Sequence, residues 1–246
     1  MTAVGRGMTQ PLEDRASEDR ARLLESLRRA IARGESRAPA SPVRLGGGID
    51  GALPGGGLAR GAIHEILVSE SEISTIFCGY ILGRAGGTVA WIRPPAAGFL
   101  PWPPGLAALG LDPAALILLE AGGNDALWAA EEALRCPALA AVAAYLPRLD
   151  LAAARRLQLA AESGGTLGLL LRPERGRPSP TAARTRWRAT SLPGRGGAAH
   201  RLGAPRWRLA LLLARGAVPR SWDVTFDGHD KTLIQNDHER RAEAHG

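Results

Sequence analysis

The chain has 246 residues, 45% of them hydrophobic, with 31 Lys and Arg against 24 Asp and Glu for a net charge of +7. That length accommodates one α/β domain with a sizeable core plus extensions. No stretch of about 18 apolar residues is free of Gly, Pro or charge, which argues against a membrane span, and the N-terminus carries Glu13, Asp14, Glu18 and Asp19 where a secretory signal would be apolar.

The basic residues are almost all arginine, Lys231 being the sole lysine. With abundant Ala, Gly and Pro this is the mixture expected of GC-rich coding, so part of the arginine count is attributable to coding composition. A basic balance still favours an acidic partner such as nucleic acid. The two cysteines, Cys78 and Cys136, stand in apolar helical contexts without metal-ligand spacing. They read as buried thiols of a reducing, cytoplasmic compartment.

Residues 1–10 are small and polar. From Leu12 to Arg33 the pattern is helical, with Leu23, Leu24, Leu27 and Ile31 on one face and Arg20, Arg22, Arg28, Arg29 and Arg33 around it. Such a helix either packs on its own domain or forms an arm that docks on another subunit. Residues 34–42 break it and serve as a linker. Residues 43–60 are dense in glycine, but these glycines precede the first core strand, so they form a turn-rich entry and not a dinucleotide fingerprint.

Residues 61–68 read as a buried parallel strand, with Ile63, Ile66, Leu67 and Val68 apolar. Ser69 to Ser74 is polar with helix-capping chemistry, and a helix follows over 74–84. A strand, a loop and a helix in this order are the frame of a phosphate-binding loop, G-x-x-x-x-G-K-[ST]. Here Val68 and Ile73 stand at the glycine positions and Ser74 at the lysine position; only Thr75 matches. β-Branched side chains keep the backbone from wrapping a phosphate, and Glu70 and Glu72 would repel a triphosphate. His64, inside the strand, reads as a core or edge histidine and not as a base.

Strands are further expected at 88–92, 116–120, 139–145 and 166–171. They alternate with a short helix at 106–109, a helix capped by Asn124 and running to Leu134, and a helix at 151–162 capped by Asp150 that bears Arg155 and Arg156. Pro94 and Pro95 close the second strand. Five strands joined by short connections through helices predict a doubly wound, mostly parallel α/β sheet.

Beyond 173 the pattern becomes antiparallel, with strands at 184–190, 205–215 and 222–226 and a charged tail over 228–246 read as disordered or as a short docking segment. The Arg-Trp-Arg element occurs twice, as Arg186-Trp187-Arg188 and Arg206-Trp207-Arg208. It reads either as a groove stacking bases on tryptophan with arginine on phosphate, or as strands with tryptophan in the core and arginine in water. The organisation expected is an arm and linker (1–42), an α/β core (43–172), an Arg/Trp strand extension (173–227) and a tail (228–246).

The order resembles the core of RecA recombinases, and more closely the ImuA family of inducible-mutagenesis proteins. The resemblance covers residues 43–226. It rests on Gly61-x-Ile63-His64-Glu65-Ile66, Gly110-Leu111-Asp112, Arg148-Leu149-Asp150-Leu151-x-Ala153-x-Arg155-Arg156-Leu157-Gln158-Leu159-Ala160, Thr185-Arg186-Trp187, and Gly203-Ala204-Pro205-Arg206-Trp207-Arg208-Leu209. Against a RecA-type ATPase, the water-activating glutamate falls near Pro95 and the magnesium-organising aspartate on Tyr145. An ATPase needs phosphate donors, a metal and a water-orienting residue together; their joint loss points to a protein with no cofactor, no metal and no catalytic residues. The resemblance implies an SOS-induced accessory factor of error-prone translesion synthesis. Its implied partners are a Y-family polymerase-like protein of the ImuB type, an error-prone polymerase III alpha-type subunit and RecA. Leu23, Leu24, Leu27, Arg155, Arg156, Arg186, Trp187, Arg206, Trp207 and Arg208 are the candidate contacts to protein or DNA. Two other readings stay open: a divergent ATPase of DNA repair using Thr75 with Glu70 or Glu72, and a single-stranded-DNA binder.

Overall fold

The computed structural model describes residues 41–95, 103–174, 180–194 and 204–236, together with Ala21 and Glu25. Leu23, Leu24 and Leu27 lie outside the described residues. The strands are β1 (Ala62–Val68), β2 (Val89–Arg93), β3 (Leu116–Glu120), β4 (Ala141–Tyr145), β5 (Leu167–Pro173), β6 (Thr185–Leu192), β7 (Arg206–Ala214), β8 (Arg220–Asp227) and β9 (Thr232–Gln235). The helices that pack on them are α1 (Ser71–Ala85), α2 (Pro103–Ala108), α3 (Gly123–Arg135) and α4 (Leu151–Gly164).

Among the described residues nine strands form one sheet in the order β3-β2-β4-β5-β1-β6-β7-β8-β9. The first six are mutually parallel and the last three run antiparallel to their neighbours. The expected α/β fold with a C-terminal antiparallel extension is therefore what forms. One detail differs: β6, expected to open the antiparallel part, pairs in parallel with β1 on one side and antiparallel with β7 on the other. The crossover from β5 passes over β1, so the chain enters β6 in the core direction before the hairpins begin.

Each face of the sheet carries its own core. On one, Phe77, Tyr80 and Ile81 of α1 pack with Leu45, Ile49 and Leu58 of the glycine-rich entry and with Trp187, Trp207 and Trp222. On the other, Ala126, Ala130 and Leu134 of α3 and Ala154, Leu157 and Ala161 of α4 cover Ile63, Ile92, Val142 and Leu170. The alanines of β4 are fully buried; their small side chains let helices approach from both sides. Two helical glycines mark close approaches to backbone. A Cβ on Gly83 would stand 2.8 Å from the Leu109 carbonyl oxygen, and one on Gly164 would stand 2.1 Å from that of Leu134. Larger residues there would push α1 off the 109–110 turn and α4 off the end of α3.

Element boundaries shift by a few residues, and three of the differences are informative. The first helix starts at Ser71, so it absorbs most of the stretch expected as loop. Gly122, not Asn124, is the N-cap of α3, and Asn124 lies in its first turn. The tail is structured as far as β9, whose Leu233 is buried opposite Phe226. An Asx turn makes that hairpin: Asp227 Oδ1 accepts from the backbone N–H of His229 at 2.8 Å. Among the described residues no helix is long and apolar enough to cross a membrane.

Candidate functional site

The strand-to-helix turn that opens the core is where a phosphate would bind in a nucleotide-binding relative of this fold. Between Val68, the last residue of β1, and Ser71, the first of α1, only Ser69 and Glu70 remain. Two residues cannot form a loop that wraps a phosphate. Ile73 is buried in the core, and Ser74, at the position of the missing lysine, is buried too. Its Oγ has no hydrogen-bond partner among the described residues, and its N–H donates to the Glu70 carbonyl at 3.1 Å. Thr75 is half-buried on the first turns of α1.

Two carboxylates stand at this turn. Glu70 is the N-cap of α1 and Glu72 lies in its first turn, where negative charge complements the helix dipole. Glu70 Oε2 also accepts from Ser191 Oγ at 3.0 Å, which ties the turn to the end of β6. The neighbouring strand ends agree. β2 closes on Arg93, which pairs with Glu120 of β3 and is followed by Pro94 and Pro95, and β4 closes on Tyr145. The residues present do not fit a magnesium-bound triphosphate: they supply no close glycine backbone, no lysine and no carboxylate at the end of β2 or β4.

The motif in β1 serves the fold. Glu65 is fully buried and accepts from Arg172 Nη1 at 2.9 Å, Arg186 Nε at 2.6 Å and Thr181 Oγ1 at 2.7 Å. One carboxylate thus joins β5, β6 and the crossover between them. His64 points to the opposite face. Trp187 Nε1–H donates to Thr185 Oγ1 at 2.7 Å, the Thr185 hydroxyl donates to His64 Nδ1 at 2.7 Å, and His64 Nε2–H donates to the Ala59 carbonyl at 2.9 Å. That chain fixes the tautomer and uses both ring nitrogens. Burial is the main reason the imidazole is pushed down to about 4, with the Arg184 charge adding to it and the Ala59 bond opposing it. It is a neutral core histidine.

The Arg/Trp strands resolve the same way. Trp187 packs edge-on against Phe77 and beside Trp222, and Trp207 stacks on Phe226 with ring centroids 5.6 Å apart. Both indoles are buried, so a base-stacking groove on Trp187 and Trp207 is not what the strands form. The reason is the side of the sheet they occupy, which α1 and the glycine-rich entry cover. The arginines are engaged as well. Arg186 is buried on Glu65, Arg188 pairs with Glu174, Arg206 Nη1 donates to the Pro193 carbonyl at 2.8 Å, and Arg208 is bidentate to Asp223 at 2.7 and 2.9 Å.

On α4, the Asp150 carboxylate accepts from the Ala153 N–H at 2.7 Å, the expected cap. Arg156 reaches across to Glu131 of α3, which also holds Arg135. Arg155 is exposed. No motif assigns a role to Glu65, although its place as the one acid in an apolar strand signals that a counter-charge must meet it.

No family model matches the chain. A curated relative, Protein ImuA of Caulobacter vibrioides (strain NA1000 / CB15N), is 37% identical over 194 residues, covering 71% of this chain and 78% of the relative. The chain belongs to the ImuA family. Protein ImuA of Caulobacter vibrioides strain ATCC 19089 matches this ImuA-family chain to the same extent. Two solved structures share its fold. A KaiC-like protein, PH0186 of Pyrococcus horikoshii OT3, superposes with a TM-score of 0.54 at 10% identity over 81% of this chain and 99% of that one. The RadB recombinase superposes with a TM-score of 0.55 at 15% identity over 76% and 96%. The core of this ImuA-family protein is thus RecA-like, as the order of strands and helices implied.

Proposed function

We propose that this ImuA-family protein is a catalytically inert, RecA-like adaptor of SOS-induced, error-prone translesion DNA synthesis. It bridges a Y-family polymerase-like protein of the ImuB type, an error-prone polymerase III alpha-type subunit and RecA. The observation that carries the reading is the two-residue turn between β1 and α1, with Val68, Ile73 and Ser74 where glycines and lysine would hold phosphate. A core without phosphate donors retains its surfaces, and binding through surfaces is what an adaptor requires. The buried tryptophans and engaged strand arginines favour protein partners over a single-strand groove on β6 and β7. The cytoplasm, at the nucleoid, is the compartment this role requires.

Two measurements test the reading. Calorimetric titration with millimolar magnesium-ATP gives no binding heat, and Thr75→Ala changes nothing; nucleotide binding abolished by Thr75→Ala restores the ATPase reading. Co-purification of the full chain with the polymerase-like protein and the alpha-type subunit gives a complex that weakens when residues 1–40 are removed. Absence of any complex with either protein ends the adaptor reading.

A further inference from the structure

Along the stretch from Arg148 to Ala160 the structure shows which residues the fold needs. Leu149, Ala153, Ala154, Leu157 and Ala160 are buried. Asp150 caps the helix. Arg156 is tied to Glu131. Gln158 Oε1 accepts from the Ile63 N–H at 3.0 Å and its amide donates to the Gly61 carbonyl at 3.2 Å, anchoring the start of β1. Arg148, Ala152, Arg155 and Leu159 have no such role, and all are exposed. Leu159 is 64% exposed, a large apolar side chain in water on an otherwise well-packed helix. Ala152, Arg155, Arg156 and Leu159 follow at i, i+3, i+4 and i+7, one stripe on the outer face of α4, with Arg148 just ahead of it.

We infer that this stripe is a docking surface for an acidic amphipathic helix of a partner protein, with an aliphatic side chain seated on Ala152 and Leu159 and carboxylates on Arg148 and Arg155. It rests on the adaptor reading and names the chemistry of one of its surfaces. Charge selects the occupant. The stripe is cationic at its N-terminal end: Glu131 engages Arg156 from the α3 side, leaving Arg148 and Arg155 to face outward, while at the far end Glu162 accepts from the Gln158 amide at 2.8 Å. The protein's own N-terminal arm mixes Arg20, Arg22, Arg28, Arg29 and Arg33 with Glu13, Asp14, Glu18, Asp19 and Glu25, so it is not the acidic helix this face calls for. A phosphate backbone would use the arginines and gain nothing from Leu159. An acidic helix with a leucine-type anchor uses both.

The test titrates the full chain into three fluorescent probes: a helical peptide with leucines at i, i+3 and i+7 among glutamates, the same peptide with lysine for glutamate, and a poly-dT oligonucleotide. The acidic peptide binds, the basic one does not, and Leu159→Asp and Arg155→Glu each weaken binding about tenfold or more. Both variants keep the melting temperature of the parent, because neither side chain packs in the core. Equal binding of the basic peptide overturns the inference, as does an unchanged affinity in either variant. Oligonucleotide binding that is lost in Arg155→Glu and untouched in Leu159→Asp also overturns it and reassigns the face to nucleic acid. The same variants are then assayed for complex formation with the polymerase-like protein. A complex indifferent to both leaves the adaptor reading standing and removes this surface from it. Peptide binding without any complex does the reverse.

Discussion

Acidification provides a sharp test of the β1 assignment. His64 is fully enclosed, and its imidazole is pushed from 6.5 down to about 4. The neutral ring is the form that fits, because both nitrogens are committed: one accepts from Thr185 and the other donates to Ala59. The folded state therefore refuses a proton that the unfolded chain takes up. The contribution is complete above pH 6.5, declines as pH falls from 6.5 to about 4, and is constant below that. At about 1.4 kcal/mol per pH unit over that interval, the loss amounts to about 3 kcal/mol. Urea unfolding measured in half-unit steps from pH 7.5 to 4.5 reads it as a falling midpoint at constant m-value. His64→Gln, which can still accept from Thr185 and donate to Ala59, is less stable at pH 7 and flat over the same window. Parallel wild-type and variant curves between pH 6.5 and 4.5 would refute the reasoning, since the slope would then belong to other groups.

Other outcomes follow from the same packing. Glu65→Gln removes the charge shared by Arg172 and Arg186 and costs about 3–5 kcal/mol in chemical denaturation, because both guanidinium groups stay largely buried; a loss below about 1 kcal/mol would mean that the arginines reach water. Trp187→Ala costs about 3–5 kcal/mol, whereas a base-stacking role would leave stability near wild type and abolish oligonucleotide binding instead. Asp150→Ala lowers stability by about 1 kcal/mol through loss of the cap on α4, and Asp150→Ser restores most of it. Cys78, fully buried with its thiol pushed up by desolvation, reacts with a thiol reagent only after denaturant is added; prompt reaction in the native protein would contradict its placement.

Much of this architecture is legible in the residues. β1, β3 and α4 are signalled by an apolar β-branched run, by Leu116-Ile117-Leu118-Leu119, and by Asp150 ahead of a helical pattern closed by Gly164-Gly165. What the residues do not reveal is where α1 begins. Ser71 and Glu72 are polar and read as loop, yet a strand that runs directly into a helix needs polar residues in that first turn for its dipole and its solvent-facing side. β9 is hidden for a different reason. Its four residues bury only Leu233, a signal too short to stand out in a charged tail, although Asp227-Gly228 marks the turn before it. At the candidate site the loss of phosphate chemistry is readable letter by letter. The burial of Trp187 and Trp207 is not, because alternation alone does not tell which side of a strand is covered.

The clasp between the two ends of the folded body has a consequence for synthesis. Gly46 bridges to Leu233, and a side chain on Gly47 would meet that leucine at 3.2 Å. The glycine-rich entry is made before β9, so the margin beyond β8 stays open until Thr232–Gln235 has been synthesised. Until then Phe226, beside Trp207, lacks its neighbour on that side. A nascent chain halted before residue 233 would be sticky at this margin and a natural client for a chaperone.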